Sequence, residues 1–269
     1  MNWKKLQNGS DIRGVALEGI EGEHVNLTPE VIETIAKSFV CWLRGVSGNA
    51  VPTIATGTDC RLSGDSIKSA FVKGAVDAGA NVVDCGLAST PAMFMTTISE
   101  QVNATASVMV TASHLPFNRN GLKFFTPKGG LDSKDIAAIL AIAESGDYAF
   151  NGAKGNASAL DFMEVYSRHI ADYICEGVKA DDYSHPLKGM HIIVDAGNGN
   201  GGFFQKILSS LGADTEGSQF LEPDGHFPNH IPNPEDRNAM ASVCKAVEDS
   251  GADLGVIFDT DVDRSAIIG

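Results

Sequence analysis

Three aspartates, Asp259, Asp261 and Asp263, stand at every second position in the segment VIFDTDVDRSAII. They follow an apolar run typical of a buried strand, and in an extended backbone residues i, i+2 and i+4 point to the same side. Three carboxylates on one side repel one another unless a cation lies between them. Mg²⁺ prefers oxygen ligands, and Arg264 follows directly as a positive group suited to phosphate. The spacing predicts a Mg²⁺ site; the alternative is a solvated acidic turn.

A second segment, VMVTASHLPFNRNGLKFF, places a hydroxyl beside an imidazole at the end of a predicted strand. Ser113 could act as a nucleophile or as a carrier of a phosphoryl group. His114 and Lys123 could then serve in proton transfer or in charge neutralisation. A Ser–His pair also occurs in purely structural loops, so both interpretations stay open at this point.

Two short loops, SDIRG with Arg13 and GTDCRLSG with Arg61, each place an arginine close to an aspartate and a glycine. Each arginine could hold an anion, or it could pair with the neighbouring aspartate. In the serine segment, Asn118, Asn120 and Gly121 are interpreted as turn residues.

The segment DAGNGNGG places Gly197, Gly199 and Gly202 in the pattern G-x-G-x-x-G between a predicted strand and helix. That pattern is a moderate indicator of dinucleotide binding. No second strand ending in an acidic residue follows at the required distance, which weighs against a dinucleotide-dependent oxidoreductase. In the proline-rich loop EPDGHFPNHIPNPED, His226 and His230 could ligate a metal, or the segment could be an ordered structural loop.

Alternating strands and helices must position these residues. The pattern predicts the α/β class: two layered α/β domains with mixed, mainly parallel sheets. A Gly/Asn/Ala-rich stretch at 146–159 is interpreted as the linker. We expect domain 1 at residues 1–152, with the serine loop, and domain 2 at 153–269, with the aspartate loop. Helices are predicted near residues 30–43, 63–78, 91–100, 133–144, 160–178, 201–211 and 235–250.

Composition limits the classes of partner. The 269 residues carry a formal net charge of -14, which disfavours nucleic acid and anionic membranes. No apolar run approaches the roughly 18 residues of a membrane span, and the N-terminus does not resemble a secretory signal. The five cysteines form no CxxC pair and are interpreted as free thiols. We therefore expect a location in the cytoplasm or in another reducing compartment such as a plastid.

Taken together and in this order, the motifs resemble those of the α-D-phosphohexomutase family, the group of phosphoglucomutase, phosphomannomutase and phosphoglucosamine mutase. TASHLPFNRNGLKFF is similar to the phosphoserine loop of that family, TASHNP followed by NGxK, and DTDVDR to its metal loop, DGDGDR. SDIRG, GTDCRLSG, VDAGNGNG and PDGHFPNHIPNPE are similar to its other signatures. The resemblance spans essentially all 269 residues.

The resemblance implies a reaction. Ser113 would carry a phosphoryl group and give it to a hexose phosphate, forming a bisphosphorylated sugar. That sugar would turn over and return its other phosphate to Ser113. Hexose phosphates would be the partners, a hexose 1,6-bisphosphate the activator, and one Mg²⁺ per chain the cofactor.

The resemblance also implies roles for the remaining residues. Asp259, Asp261 and Asp263 would hold Mg²⁺ together with a phosphate oxygen on Ser113. His114 and Lys123 would assist proton transfer and orient the phosphate. Arg13 and Arg264 would neutralise charge.

The chain departs from the family pattern at three positions. Leu115 stands where the serine loop usually has asparagine, and Thr260 and Val262 replace the two glycines of the metal loop. None of the three changes removes a ligand. The family has four domains, and this chain ends near the close of the second, so we expect it to be a piece of a longer protein with little or no turnover by itself.

Two alternatives remain. VIFDTDVD also resembles the first motif of haloacid-dehalogenase phosphatases, with Asp259 as nucleophile and Asp261 as acid/base. That motif normally stands near the start of its domain, whereas ten residues follow Asp259 here. The other alternative is a non-catalytic mutase homologue that binds sugar phosphate, which the changes at Leu115, Thr260 and Val262 motivate.

Overall fold

The computed structural model describes residues 1–180 and 182–269, which form two compact units, Met1–Asp161 and Phe162–Gly269. The boundary that we expected between residues 152 and 153 therefore falls inside the first unit. The reason is a short strand at Ala157–Ala159, which pairs in parallel with the strand Asn81–Leu87. Its composition is that of a linker, but its backbone completes an edge of the sheet.

The first unit is built on an eight-stranded sheet in the order β1-β2-β6-β5-β3-β4-β8, with β7 beside β6. Strands β5, β3, β4 and β8 are parallel to one another, whereas β1, β2, β6 and β7 join by antiparallel pairs. The α/β class with mixed sheets is confirmed, and parallel order holds at the centre. The strands are β1 Gln7–Asn8, β2 Asp11–Val15, β3 Thr53–Thr58, β4 Asn81–Leu87, β5 Ala106–Val110, β6 Arg119–Thr126, β7 Gly129–Gly130 and β8 Ala157–Ala159.

One face of this sheet carries the main core. Alternate strand residues such as Val108 and Leu122 point towards three helices and join their apolar faces. Phe39 belongs to this core and packs against Phe124 in a tilted arrangement, with the ring centroids 4.7 Å apart. A short helix covers part of the opposite face. The helices are α1 Pro29–Ser47, α2 Gly64–Asp77 and α4 Ser133–Ser145 on the core face, and α3 Thr90–Met95 on the other.

Helix α3 is shorter than the 91–100 expected. Its N-terminus is capped by Ser89, whose hydroxyl accepts from Ala92 N. At its other end the hydroxyls of Thr96 and Thr97 donate to the carbonyls of Met93 and Phe94. Hydroxyls that bond the preceding turn compete with continued helix, so the chain leaves the helix there.

The second unit places a three-stranded sheet between helices. Strands β9 Ile192–Asp195 and β10 Leu254–Phe258 are parallel, and β11 Ser265–Ile268 is antiparallel to β10. Val194 and Phe258 pack with residues of α5 Phe162–Val178 and α6 Gly202–Ser210. On the other face, Ile257 packs against Val243 of α7 Arg237–Ser250. None of the helices in residues 1–180 and 182–269 combines the length and the apolar character needed to cross a membrane.

Candidate active site

The predicted carrier serine lies in a turn just after strand β5. Ser113 has φ +53° and is 4% exposed. A left-handed conformation costs a non-glycine residue roughly 1–2 kcal/mol, so surrounding contacts must hold it. One of them is local: Ser113 N donates to Thr111 Oγ1 at 2.8 Å. The strand end thus presents a constrained serine.

A buried arginine lies against the backbone of this turn. Arg61, which is 3% exposed, donates to the carbonyl oxygens of Ser113 and Leu115 through Nη2. Its Nη1 donates to the carbonyl oxygens of Pro116, at 2.8 Å, and Arg119, at 3.1 Å. Because these acceptors belong to the backbone, the replacement of the usual asparagine by Leu115 leaves this contact intact.

Asp59 joins this arginine to the serine turn. Its Oδ2 lies 3.4 Å from Arg61 Nε and accepts from Thr111 Oγ1 at 2.6 Å. Its Oδ1 accepts from Arg61 N at 3.0 Å. Thr111 therefore accepts from Ser113 N and donates to Asp59. The sequence suggested that Arg61 pairs with its neighbouring aspartate, but it gave no indication of the contacts with the carbonyl oxygens of the serine turn.

The two other residues predicted to act with Ser113, His114 and Lys123, lie in different elements. His114 is exposed, and its Nδ1 lies 3.4 Å from Ser113 Oγ, at the long limit of a hydrogen bond. Lys123 lies on β6 and is in register with Asp11 on β2 and Met109 on β5. Partners in register share a face of the sheet, so Lys123 lies on the face opposite the main core.

Arg13 lies on the same face and reaches the serine turn from β2. Its Nη1 donates to the carbonyl oxygen of Ala112 at 3.1 Å, and its Nη2 pairs with Asp11 Oδ2 at 2.8 Å. Gly121 is opposite Arg13 in the register, and a Cβ there would lie 2.4 Å from the carbonyl oxygen of Ile12. Gly121 is therefore required for close approach of the strands.

The segment at 16–28 holds the far end of the serine loop. Glu23 accepts from Asn118 Nδ2 at 2.8 Å and from Arg119 Nη2 at 2.7 Å. The hydrogen bond from Arg119, and then that from Asn118, lowers the pKa of the Glu23 carboxyl. Asn120 donates to Ser63 Oγ at 2.9 Å. Asn118 and Asn120, which we interpreted as turn residues, are thus buried, and their side chains hydrogen-bond to other segments of the chain.

The three aspartates of the second unit converge after β10. One carboxylate oxygen from each of Asp259, Asp261 and Asp263 lies within 4.8 Å of the others. Asp259 and Asp261 are fully buried, and Asp263 is exposed. Within residues 1–180 and 182–269 this is the one group of three or more His, Cys, Asp or Glu arranged to hold a metal.

The donor set fits a hard divalent cation. Oxygens on opposite sides of an octahedral Mg²⁺ lie about 4.2 Å apart, from metal–oxygen distances of about 2.1 Å. The observed spread of 4.8 Å needs only a small inward movement. Arg264 offsets part of the charge, because its Nη2 lies 2.8 Å from Asp259 Oδ2. The backbone N–H groups of Asp263 and Arg264 both donate to Asp259 Oδ1 at 3.1 Å.

Backbone strain marks the aspartate loop. Val262 has φ +64°, which is unusual for a β-branched residue. This is one of the two positions at which the chain departs from the family glycines. At the other, Thr260, the carbonyl oxygen accepts from Asn200 N at 2.9 Å. A Cβ at Gly199 would lie 2.8 Å from Thr260 Cα, so this glycine allows the two loops to pack.

The remaining glycines of DAGNGNGG also have packing roles. A Cβ at Gly197 would lie 2.9 Å from Pro232, and one at Gly202 would lie 2.2 Å from the carbonyl oxygen of Leu221. Close approach of protein backbone accounts for the pattern without a nucleotide.

His230 forms an ion pair rather than a metal site. Its Nε2 lies 3.0 Å from both oxygens of buried Asp195, and its Nδ1 lies 3.0 Å from the carbonyl oxygen of Ile231. Burial by itself would lower the pKa of this imidazole. The hydrogen bonds to Asp195 and Ile231 outweigh burial and raise the pKa. His226 is exposed and contacts Asp224.

Fold and site define a class of protein: two α/β units, one with a constrained serine at a strand end and one with a carboxylate triad suited to a divalent cation. Residues 4–149 match the family description "Phosphoglucomutase/phosphomannomutase, alpha/beta/alpha domain I", and residues 164–269 match domain II. The chain belongs to the phosphoglucomutase/phosphomannomutase family, which confirms the resemblance inferred from the motifs.

Individual relatives agree with this assignment. A phosphoglucomutase of Neisseria meningitidis is 30% identical over 253 residues, covering 94% of this chain and 51% of the relative. A phosphoglucomutase/phosphomannomutase of Thermococcus kodakarensis is 32% identical over 268 residues, covering 98% of this chain and 55% of the relative. A solved Burkholderia thailandensis family protein superposes with a TM-score of 0.74 at 25% identity, covering 97% of this chain and 53% of that one. The chain spans about half the length of the curated relatives it matches.

Proposed function

We propose that this chain carries the phosphoryl-transfer chemistry of a phosphohexomutase, an isomerase that moves a phosphoryl group between the 1- and 6-positions of a hexose phosphate. The observation that carries the proposal is the convergence of Asp259, Asp261 and Asp263 within 4.8 Å in a chain of this family. The constrained Ser113 supports it, because a phosphoryl carrier needs a fixed hydroxyl.

Transfer proceeds in two directions at Ser113. In the first, the Oγ–P bond of phosphorylated Ser113 breaks and Oγ takes up a proton, while a sugar hydroxyl forms the new O–P bond and gives up its proton. In the second, Ser113 Oγ gives up its proton and accepts the other phosphoryl group of the bisphosphorylated sugar, and the sugar oxygen takes up a proton as its O–P bond breaks. His114 and Lys123 are the groups that we assign to these proton movements and to orienting the phosphate.

Charge stabilisation is the main requirement, since phosphoryl transfer depends chiefly on positioning and electrostatics. A phosphoserine carries about -1.5 to -2 charges at neutral pH, and the chain itself carries -14. Asp259, Asp261 and Asp263 would hold Mg²⁺, which would supply positive charge for the transferring phosphoryl group. Arg13 and Arg264 supply fixed positive charge.

The test is the intact mass of the purified chain, with peptide mapping, before and after exposure to glucose 1,6-bisphosphate and Mg²⁺. We expect one added phosphoryl group on Ser113. Ser113→Ala should not take it up, whereas the exposed control Ser133→Ala should. Omission of Mg²⁺, or Asp261→Asn, should slow uptake by about tenfold or more, because the transferring phosphoryl group then lacks the charge stabilisation that the metal would supply.

Two other outcomes would favour a function other than that of a phosphohexomutase. An acid-labile phosphate on Asp259 would indicate a haloacid-dehalogenase-type phosphatase. Binding of Mg²⁺ with no phosphate on Ser113 would favour a non-catalytic homologue that binds sugar phosphate. The choice of hexose 1,6-bisphosphate as activator and the location in a reducing compartment stay predictions; all five cysteines are free thiols, which is compatible with the latter.

A further inference from the structure

The serine turn is held mainly by a network that lies beneath it and that faces the protein interior. Asp59, Arg61 and Thr111 are 1%, 3% and 0% exposed. Such groups are costly to bury unless each is paired, and here their mutual contacts and the carbonyls of the turn provide the pairing. Stability alone does not account for a buried ion pair here, because apolar residues of similar volume often give a fold of equal or greater stability.

The geometry of Arg61 gives the network a specific effect. Its planar guanidinium has five donors in a fixed fork. Nη1 and Nη2 donate to four carbonyl oxygens from the loop, those of Ser113, Leu115, Pro116 and Arg119. A rigid fork that collects several carbonyls fixes their relative orientation, and therefore fixes the left-handed conformation of Ser113. A lysine, with one flexible ammonium, cannot hold the same set.

The network holds the backbone of Ser113 at two points. Arg61 contacts Ser113 through the backbone carbonyl, and the Ser113 amide is fixed from the other side through Thr111 and Asp59. The carbonyl and the amide of Ser113 are thus both held by this network, which fixes the backbone from which the side chain projects.

We propose that Arg61, supported by Asp59 and Thr111, is a positioning residue that holds Ser113 in its left-handed turn and so aims Oγ for phosphoryl transfer. This inference rests on the proposed function for its kinetic consequence, but its structural part stands by itself. A misplacement of about 1 Å can cost on the order of 10²-fold in rate. Loss of the fork should therefore slow loading of Ser113 without changing how the sugar phosphate is bound.

The test compares Arg61→Lys with the wild-type chain and with Arg119→Lys. Arg119 lies in the same loop, but its side chain pairs with Glu23 and only its carbonyl contacts Arg61. Hydrogen exchange of the Ser113 amide, with the Val108 amide of β5 as reference, measures the order of the turn. The rate of phosphorylation by glucose 1,6-bisphosphate with Mg²⁺ is measured over a range of concentrations.

In Arg61→Lys we expect exchange at Ser113 to accelerate at least tenfold while Val108 is unchanged. We expect the maximal loading rate to fall about 10- to 100-fold, with the half-saturating concentration unchanged. Arg119→Lys should match the wild type in both. Wild-type exchange in Arg61→Lys, or faster exchange with unchanged loading, would overturn the proposal.

A second pair of variants covers the case in which Arg61→Lys does not fold. Thr111→Val removes the acceptor of the Ser113 amide with little change of shape, and Thr111→Ser restores the hydroxyl. The valine variant should show the same exchange and rate effects, and the serine variant should reverse them; equal behaviour of the two would refute the network. If the wild-type chain takes up no phosphate, the proposed function fails, and the exchange measurements alone decide the positioning role.

Discussion

Val262 shows how a single residue can be at odds with the backbone that it occupies. Its φ of +64° is a conformation that glycine adopts freely, whereas a β-branched side chain meets the neighbouring carbonyl. The residue nevertheless packs at the edge of the core formed by α5, α6 and β9. At Val262, therefore, the strained backbone destabilises the loop that carries the carboxylates, whereas the packing of the side chain stabilises it.

Comparison of Val262→Gly with Val262→Ala isolates the strain, since both remove the apolar branches. At an ordinary position alanine is more stabilising than glycine by about 0.5–1 kcal/mol. At Val262 we expect the reverse order, with the glycine variant more stable by about 1 kcal/mol. Urea unfolding followed by far-ultraviolet circular dichroism measures this.

The control for that comparison is Val256, which lies in β10 of the same unit. There, Val256→Ala should be more stable than Val256→Gly. The same order at both positions would mean that the left-handed conformation of Val262 carries no strain.

At the scale of elements, the loop between β9 and α6 supports the aspartate loop by direct backbone packing. The contact depends on Gly199, because Thr260 Cα and the Thr260 carbonyl oxygen would lie 2.8 Å and 2.9 Å from a Cβ. The hydrogen bond from Asn200 to Thr260 fixes the same pair of loops. Gly199 thus allows the packing that positions the carboxylates on either side of Thr260.

Gly199→Ala should destabilise the second unit by about 1–3 kcal/mol, as overpacking against a backbone does. It should also weaken Mg²⁺ binding, because the carboxylates must shift with Thr260. Isothermal titration with Mg²⁺ and urea unfolding measure the two effects. Gly177→Ala is the matched control: Gly177 lies in α5 with nothing within 4 Å of a Cβ, so alanine there should stabilise by about 0.5–1 kcal/mol. Equal effects of the two substitutions would contradict the packing role.

At the scale of the whole molecule, each unit contains a different buried ion pair. In the first unit Asp59 pairs with Arg61, whose guanidinium stays charged at all accessible pH values. In the second, Asp195 pairs with His230, whose folded-state pKa is raised above that of a free imidazole. The two units should therefore differ in how their stability depends on pH.

The stability of the second unit should fall as pH rises. The pKa of His230 is raised in the folded state, so its contribution is fully present below the unfolded pKa of about 6.5. That contribution is lost as pH increases through the higher folded-state pKa. Hydrogen exchange of the β9 amides between about pH 6 and 8.5, corrected for the intrinsic pH dependence of exchange, measures this.

Two histidine variants, and the fluorescence of the first unit, serve as controls for this measurement. His230→Gln should remove the pH dependence, while His226→Gln, at an exposed site, should retain it. Trp3 and Trp42 are the two tryptophans of the chain, and both lie in the first unit, so their fluorescence follows that unit alone. A stability of the second unit that is constant or rises with pH in the wild type would refute the assignment.

The sequence by itself determined the local features of this protein. Alternating apolar periodicity indicates the α/β class, and the spacing of Asp259, Asp261 and Asp263 predicts carboxylates on one side of an extended backbone. The carboxylates do converge, but they do so in a turn after β10, with Val262 at φ +64°, and not along a strand. The serine loop is recognisable in the sequence because its hydroxyl and imidazole are adjacent in the chain, at Ser113 and His114.

Only the tertiary structure decided which distant groups hold these features in place. Arg61 binds carbonyl oxygens 52 to 58 residues away, and backbone acceptors leave no mark in the amino-acid sequence. His230 meets Asp195 across 35 residues, which changes a candidate metal ligand into half of an ion pair. The strand Ala157–Ala159 was interpreted as linker because its pairing partner, β4, lies far earlier in the chain. Contacts of this kind form when the sheets assemble, so local pattern and composition do not encode them.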